Sequence, residues 1–224
     1  MSSARDDILA TMRRSLGVSG TEAPRRAAVE DRLARAPKGV IPKRAEVTGA
    51  ECLELFKRQA EEALATVAVV ADAAAVPQEA ARYLRDANLP ATLRMGADAR
   101  LAAMPWEATA LDIAKGASAG RDLNALSHAF AGVAETGTLA LVSGPDNPTT
   151  LNFLPDNHIV VVAAKDLAGS YEESLDRLRS VYGKGAMPRS LNLITGPSRS
   201  ADIEQTLILG AHGPRKLHII VVEG

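Results

Sequence analysis

Three polar loops in the C-terminal half of the chain carry the residue types that binding or catalysis needs. The first reads Ala134-Glu135-Thr136-Gly137-Thr138 and continues, after an apolar run, into Ser143-Gly144-Pro145-Asp146-Asn147-Pro148-Thr149-Thr150. Glu135 stands between apolar segments. A carboxylate held there without a partner would be desolvated and its pKa raised, which suits base or nucleophile work. The alternative is that Glu135 accepts backbone N–H bonds and fixes a hairpin. The second loop, Gly196-Pro197-Ser198-Arg199-Ser200-Ala201-Asp202-Ile203-Glu204, follows an apolar run at 191–195 and leads toward a short helix. Backbone N–H groups, the hydroxyls of Ser198 and Ser200 and the Arg199 guanidinium would suit a carboxylate or phosphate, each charge-assisted bond contributing about 1.5 to 3 kcal/mol. Helix capping with an internal Arg–Asp pair explains the same residues. The third loop is Gly210-Ala211-His212-Gly213-Pro214-Arg215, and His212 is the most loop-like of the four histidines. His128, His158 and His218 sit in strand-like apolar contexts and read as structural.

The candidate set is therefore Glu135 as the catalytic group, with a binding surface drawn from the three loops. That surface comprises Thr136, Gly137, Thr138, Gly144 and Asp146; Gly196, Pro197, Ser198, Arg199, Ser200, Asp202 and Glu204; and His212, Gly213 and Arg215. No two histidines have helical metal-ligand spacing, so no metal site is expected. The glycine-bearing loops match neither a phosphate-cradling Walker loop nor a dinucleotide fingerprint, and no Gly-x-Ser-x-Gly elbow is present.

The elements that must position these loops alternate between helix and strand. Residues 2 to 16 form an amphipathic helix capped by Ser2 or Ser3, with Ile8, Leu9, Met12 and Leu16 as its apolar stripe and Gly17 at its end. So short a helix is marginal alone, and its stripe is expected to dock on the main domain or on another subunit. Residues 17 to 45 are broken by Gly and Pro and read as an arm, with a short helix near 29–35. From about residue 46 a single α/β domain follows. Helices are expected at 50–64, from Pro77 through Asn88 and at 171–182, the last opened by the capping box of Ser170 and Glu173. Strands are expected at 66–71, 91–95, 109–113, 126–133, 138–142, 158–164, 191–195 and 217–222. The near-continuous apolar runs after His158 and His218 imply burial on both faces, hence a mostly parallel open sheet flanked by helices, with one antiparallel hairpin at Glu135-Thr-Gly.

Composition narrows the function. The chain has 224 residues, enough for a full core, and 46% are hydrophobic but only 3% aromatic, so packing relies on small side chains. Twenty-six basic residues offset 27 acidic ones, which argues against nucleic acid as a partner. The single cysteine, Cys52, excludes an internal disulfide, cannot ligate an iron–sulfur cluster and falls in a helical apolar pattern, where it reads as a filler. No apolar run reaches the length of a membrane span, and the charged N-terminus lacks a secretory signal, so the expected compartment is the cytoplasm.

Taken in order, Ala134-Glu-Thr-Gly-Thr-Leu, Leu154-Pro-Asp-Asn-His-Ile, Gly196-Pro-Ser-Arg-Ser-Ala-Asp-Ile-Glu and Gly210-Ala-His-Gly-Pro-Arg resemble the motifs of the lactate utilization protein C family. The likeness is sharp over residues 125 to 224, diffuse over 50 to 124, and extends to the N-terminal helix. The stretch Leu123-Asn-Ala-Leu-Ser-His-Ala-Phe departs from the acidic segment often found before the Glu-Thr-Gly motif. The resemblance implies a fold like the sugar-phosphate isomerase and CoA-transferase superfamily. It also implies a place beside lactate utilization proteins A and B, which carry iron–sulfur motifs, in the oxidation of L-lactate to pyruvate. This chain would then be a cluster-free subunit that supports binding of a small anionic ligand or assembly. Two other readings stand beside it. One is a transferase or ligase for a small acid or its CoA or nucleotide derivative, with Glu135-Thr136-Gly137 resembling the Glu-x-Gly of CoA-transferases. The other is a non-catalytic scaffold.

Overall fold

The structure is a computed structural model that describes residues 3–201 and 207–224. Its centre is made by the two strongest apolar runs. Strand β7 (Asn157–Ala163) and strand β12 (Lys216–Val222) lie side by side in parallel, and their residues alternate between two cores. Val160 and Val162 of β7 and Ile219 and Val221 of β12 pack on one face with Cys52, Leu55, Phe56 and Ala60 of helix α3 (Gly49–Glu62). Ile159, Val161, Ile220 and Val222 pack on the other with Val76, Ala80 and Leu84 of helix α4 (Val76–Asp86). Burial on both faces is why these runs do not alternate apolar with polar.

Four further strands complete this sheet: β1 (Thr66–Val70), β2 (Thr92–Met95), β3 (Asp112–Lys115) and β4 (Asn124–His128). The order is β1-β12-β7-β4-β2-β3, and every pairing is parallel. A second sheet has the order β8-β5-β6-β9, from β5 (Ala131–Val133), β6 (Thr138–Val142), β8 (Leu167–Ala168) and β9 (Leu191–Thr195). Strands β5 and β6 are antiparallel and joined by the Glu135-Thr-Gly turn, as their sequence implies. The span 126–133, expected as one strand, is instead two strands in two sheets. The Ala129 N–H donates to Val161 of the parallel sheet, whereas the next, Phe130 N–H, donates to Ala140 of the second. The transfer falls within the apolar run Ala129-Phe-Ala-Gly-Val, which carries no mark of it.

Helix α5 (Ala99–Ala102), helix α6 (Thr149–Phe153) and helix α7 (Tyr171–Tyr182) fill the connections. At α7, Ser170 accepts the Glu173 N–H at 3.3 Å, while the Glu173 carboxylate takes the Gly169 N–H at 3.0 Å. Among the described residues no helix follows Gly196. Strand β10 (Arg199–Ala201) pairs antiparallel with β11 (Leu207–Leu209), so 199–201 of this loop form one side of a ribbon, while residues 202–206, toward which the short helix was expected, lie outside the described residues.

The arm holds helix α1 (Ala4–Leu16), capped by Ser3 and closed by Gly17 at φ 64°, and helix α2 (Ala23–Arg35), longer than the sequence pattern suggests. Neither buries a residue, and the stripe of Ile8, Met12 and Leu16 faces outward rather than docking on the domain. The arm meets the domain at α7: Lys184 Nζ donates to the Ala34 carbonyl at 2.9 Å, Gly39 N–H to Glu172 at 2.7 Å, and Lys38 pairs with Asp176 at 2.8 Å.

Candidate functional site

From β2 the chain runs outward to the edge strand β3, whereas from β4 it runs through the second sheet and returns to β7 on the opposite side. The carboxyl ends of β2 and β4 therefore face a crevice at which the connections diverge, the place where open α/β sheets characteristically take their ligands. A cavity of about 350 Å³ opens there, lined by Asp98, Arg100, His128, Phe130, Val142, Tyr182 and residues 143–147.

Each wall follows from local sequence. Gly96 ends β2, and a Cβ at that position would overlap the Asp146 carbonyl, so the glycine lets the loop at 143–147 lie against the strand end. The Ala97 N–H donates to Pro145 O at 3.3 Å. Asp98 caps α5 by accepting the Arg100 N–H at 2.9 Å, and the same carboxylate receives Arg100 Nε at 3.0 Å and Nη2 at 2.6 Å. Burial pushes the Asp98 carboxyl up, but the side-chain and backbone bonds from Arg100 outweigh it and hold the group below its usual range. Asp98 is buried while the Arg100 side chain is 55% exposed, so a fixed carboxylate aims a guanidinium that keeps donors for a ligand.

His128 closes β4 and is buried. Its Nδ1 lies 2.8 Å from the Ala129 carbonyl, which can only accept, so Nδ1 carries the proton and Nε2 keeps its lone pair. Nε2 has no hydrogen-bond partner among the described residues. Burial and the neighbouring Arg100 charge lower the imidazole pKa, with Asp98 and Asp166 opposing them, so the ring is a neutral acceptor near pH 7. Buried Asn147 completes the wall; its Nδ2 reaches Val142 O at 3.4 Å, and its Oδ1 is without a partner among the described residues. One cation and one unspent acceptor, His128 Nε2, thus line the same small space, with Asn147 in its wall. Among the described residues no group of three or more His, Cys, Asp or Glu could hold a metal ion.

The residues expected from sequence are divided among several places. Gly144 and Asp146 line the crevice. Gly196, Pro197, Ser198, Arg199, His212 and Gly213 meet around a different cavity of about 250 Å³, beside His158 and Leu217 near the amino ends of β7 and β12. There the two loops brace each other: Ser198 N–H donates to Pro214 O at 2.8 Å, Gly210 N–H to Ser198 O at 2.9 Å, and His212 N–H to Ser198 Oγ at 3.3 Å. Ser200 lies in β10 opposite Ile208, and Arg215 is 3.8 Å from Asp156 at an exposed position. Asp202 and Glu204 lie outside the described residues.

Glu135, Thr136, Gly137 and Thr138 line neither cavity. Glu135 is buried, and its Oε1 accepts the Tyr171 N–H at 2.9 Å, tying the hairpin to the first turn of α7. Thr138 Oγ1 lies 2.7 Å from Thr136, 2.9 Å from Tyr171 and 2.6 Å from Thr195, forming a closed hydroxyl network. Gly137, at φ 64°, sits where a Cβ would overlap the backbone of Gln59 and Ala60, and Gly196 where one would overlap Ala63 O. These motif glycines let the second sheet approach the end of α3. A larger hollow of about 530 Å³ beside the start of α3 has its Arg177 engaged by Glu173 at 2.7 Å and by Leu167 O at 3.0 Å.

Asp98 and Arg100 were not singled out by sequence, Asn147 entered only as part of the first loop, and His128 read as a structural histidine. Asp98-Ala-Arg100 reads as an ordinary helix cap, and the other two gain meaning only when β2 and β4 are neighbours.

Residues 53–222 match the family model of the LUD domain. The chain belongs to the LUD-domain family. This LUD-domain chain is 35% identical over 122 residues to lactate utilization protein C of Geobacillus sp. (strain WCH70), covering 52% of the chain and 48% of that relative. It is 36% identical over 91 residues to lactate utilization protein C of Shouchella clausii (strain KSM-K16), covering 41% of the chain and 40% of the relative. The matched span is thus about half, or less, of the length of these curated relatives. A crystal structure of a DUF162-family protein from Deinococcus radiodurans superposes with a TM-score of 0.58 at 23% identity, covering 79% of this chain and 99% of that one, a likeness of fold.

Among the described residues no helix is long and apolar enough to cross a membrane.

Proposed function

We propose that this chain holds lactate in the crevice between β2 and β4, as the cluster-free subunit of an iron–sulfur-dependent system that oxidises L-lactate to pyruvate in the cytoplasm. The observation that carries the reading is Arg100, aimed by buried Asp98 into the same cavity as the unspent Nε2 of His128. A 2-hydroxy acid matches that arrangement: its carboxylate pairs with the guanidinium, and its hydroxyl donates to Nε2. The names of the relatives support lactate as the particular acid.

Oxidation of lactate to pyruvate breaks the O–H and C2–H bonds. His128 Nε2 would take the hydroxyl proton, and the C2 hydrogen would leave with the electron pair, as hydride, to a two-electron acceptor on another chain that feeds the clusters, because one cysteine cannot ligate a cluster here. Lactate utilization proteins A and B, with their iron–sulfur motifs, are the proposed partners.

Calorimetric titration of the purified protein with L-lactate, pyruvate and propionate tests the site. L-Lactate should bind more tightly than pyruvate or propionate, neither of which has a hydrogen to donate from C2. Arg100→Ala should weaken L-lactate by about ten- to a hundredfold, the equivalent of about one charge-assisted bond. Wild-type protein that binds propionate as well as L-lactate, or neither, would defeat the reading. Lactate-dependent acceptor reduction by the co-expressed partners, with and without this chain, tests its place in the system.

A further inference from the structure

We infer that the crevice between β2 and β4 selects 2-hydroxy monocarboxylic acids whose apolar side chain, longer than the methyl of lactate, lies against Phe130, Val142 and Tyr182. This selectivity rests on the crevice being a 2-hydroxy acid site, and it extends that role from one acid to a class. The two walls of the crevice belong to different layers of the fold. Asp98, Arg100 and His128 stand at the carboxyl ends of β2 and β4, in the parallel sheet. The other wall comes from the second sheet and its helix. The Phe130 N–H donates to Ala140 of β6, Val142 ends that strand, and Tyr182 ends α7, which packs on β5 and β8. Phe130 is backed by Leu175, Leu178 and Leu191 around a gap of only about 10 Å³, so this wall is apolar in depth. Tyr182, 38% exposed, marks where it meets solvent.

Size sets the first limit on the ligand. At about 350 Å³ the crevice is larger than lactate needs. Its six non-hydrogen atoms, each given the roughly 30 Å³ that a water takes in the liquid, occupy at most about 180 Å³, so roughly half of the space is left over. With the carboxylate on Arg100 and the hydroxyl at His128 Nε2, the substituent on C2 is the part of the acid free to fill it. Three further carbons bring the same upper bound to about 270 Å³. Charge sets the second limit. Arg100 is the one cation among the residues that line the crevice, and the exposed carboxylate of Asp146 is close enough to add to the pull that raises the Arg100 pKa. A second carboxylate on the ligand would find no further cation there and would be repelled by Asp146, which disfavours hydroxy diacids.

Calorimetric titration of the full-length protein with L-lactate, L-2-hydroxybutyrate, L-2-hydroxyisocaproate and L-malate tests the class. Affinity should rise by about two- to fourfold for each methylene placed on the apolar wall, so that L-2-hydroxyisocaproate binds about tenfold or more tighter than L-lactate. L-Malate should bind more weakly than L-lactate. Val142→Thr, which sets a hydroxyl in the wall at nearly constant shape, should lower the ratio of 2-hydroxyisocaproate to lactate affinity by about threefold or more. The wild-type series is the deciding readout, since it needs no variant to fold. L-2-Hydroxyisocaproate bound no more tightly than L-lactate, or L-malate bound as tightly as L-2-hydroxyisocaproate, would overturn the selectivity and leave the lactate reading intact. A ratio unmoved by Val142→Thr would overturn the placement of the side chain on this wall. No binding of any of the four acids would remove the selectivity and the lactate reading together.

Discussion

The hairpin at Glu135-Thr-Gly and the crevice between β2 and β4 are both rich in polar side chains, yet they use them in opposite ways. At the hairpin the polar groups are largely consumed: Glu135 holds the Tyr171 N–H, and the hydroxyls of Thr136, Thr138, Tyr171 and Thr195 satisfy one another. In the crevice a single pair, Asp98 with Arg100, fixes the geometry, and His128 Nε2 and Asn147 Oδ1 are left over. A conspicuous motif can therefore mark a demanding piece of construction, while capacity for a ligand resides where bonding is unfinished.

The strongest way to break this contrast is at Gly137. Its positive φ and its contact with the α3 backbone predict that Gly137→Ala costs about 3 kcal/mol or more in denaturant unfolding, without a selective effect on lactate affinity. Acid comes next. Burial lowers the pKa of His218 to about 4 and of His158 to about 3, below the roughly 6.5 of an unfolded histidine. The unfolded chain therefore takes up these protons first, and stability falls as pH drops from about 6.5 toward 4. Each ring contributes about tenfold in the unfolding constant per pH unit. His218, stacked on Tyr83 and bonded to Thr66 and Glu79, is a spent imidazole, and His218→Gln should flatten the slope measured by denaturation at several pH values.

Arg100→Ala should do the reverse of Gly137→Ala, losing ten- to a hundredfold in lactate affinity while circular dichroism reports an intact fold. Thr138→Val removes the hub of the hydroxyl network at constant shape and should cost about 1 to 3 kcal/mol in thermal or denaturant unfolding. The smallest effect belongs to Glu135→Gln. The amide oxygen can still accept the Tyr171 N–H, so stability should change by less than about 1 kcal/mol and lactate binding should persist. A large loss of turnover in that variant would restore Glu135 as a reacting group and collapse the distinction.

Sequence revealed the fold more fully than the crevice, for physical reasons. Buried parallel strands announce themselves, and β7 and β12 were legible as apolar runs, as was α7 from Ser170, Glu173 and Gly183. The passage from one sheet to another between Ala129 and Phe130 was not, because both sides of it are apolar. The loops at Gly196 and Gly210 were legible only as separate polar segments, and their contact through Ser198 is what brings them together. The crevice stayed hidden because Asp98, Arg100, His128 and Asn147 come from three separate stretches. Only the strand order joins them.

The arm gives the molecule a second, much lower threshold of opening. Helices α1 and α2 bury nothing and are held to α7 by a few exposed bonds near residues 34 to 39, so their release need not disturb either core. Their backbone amides should exchange with deuterated water in seconds to minutes, while those of β7 and β12 wait for global unfolding. Brief exposure to trypsin should then shorten the chain from its N-terminal side, leaving a resistant core that still refolds as a unit.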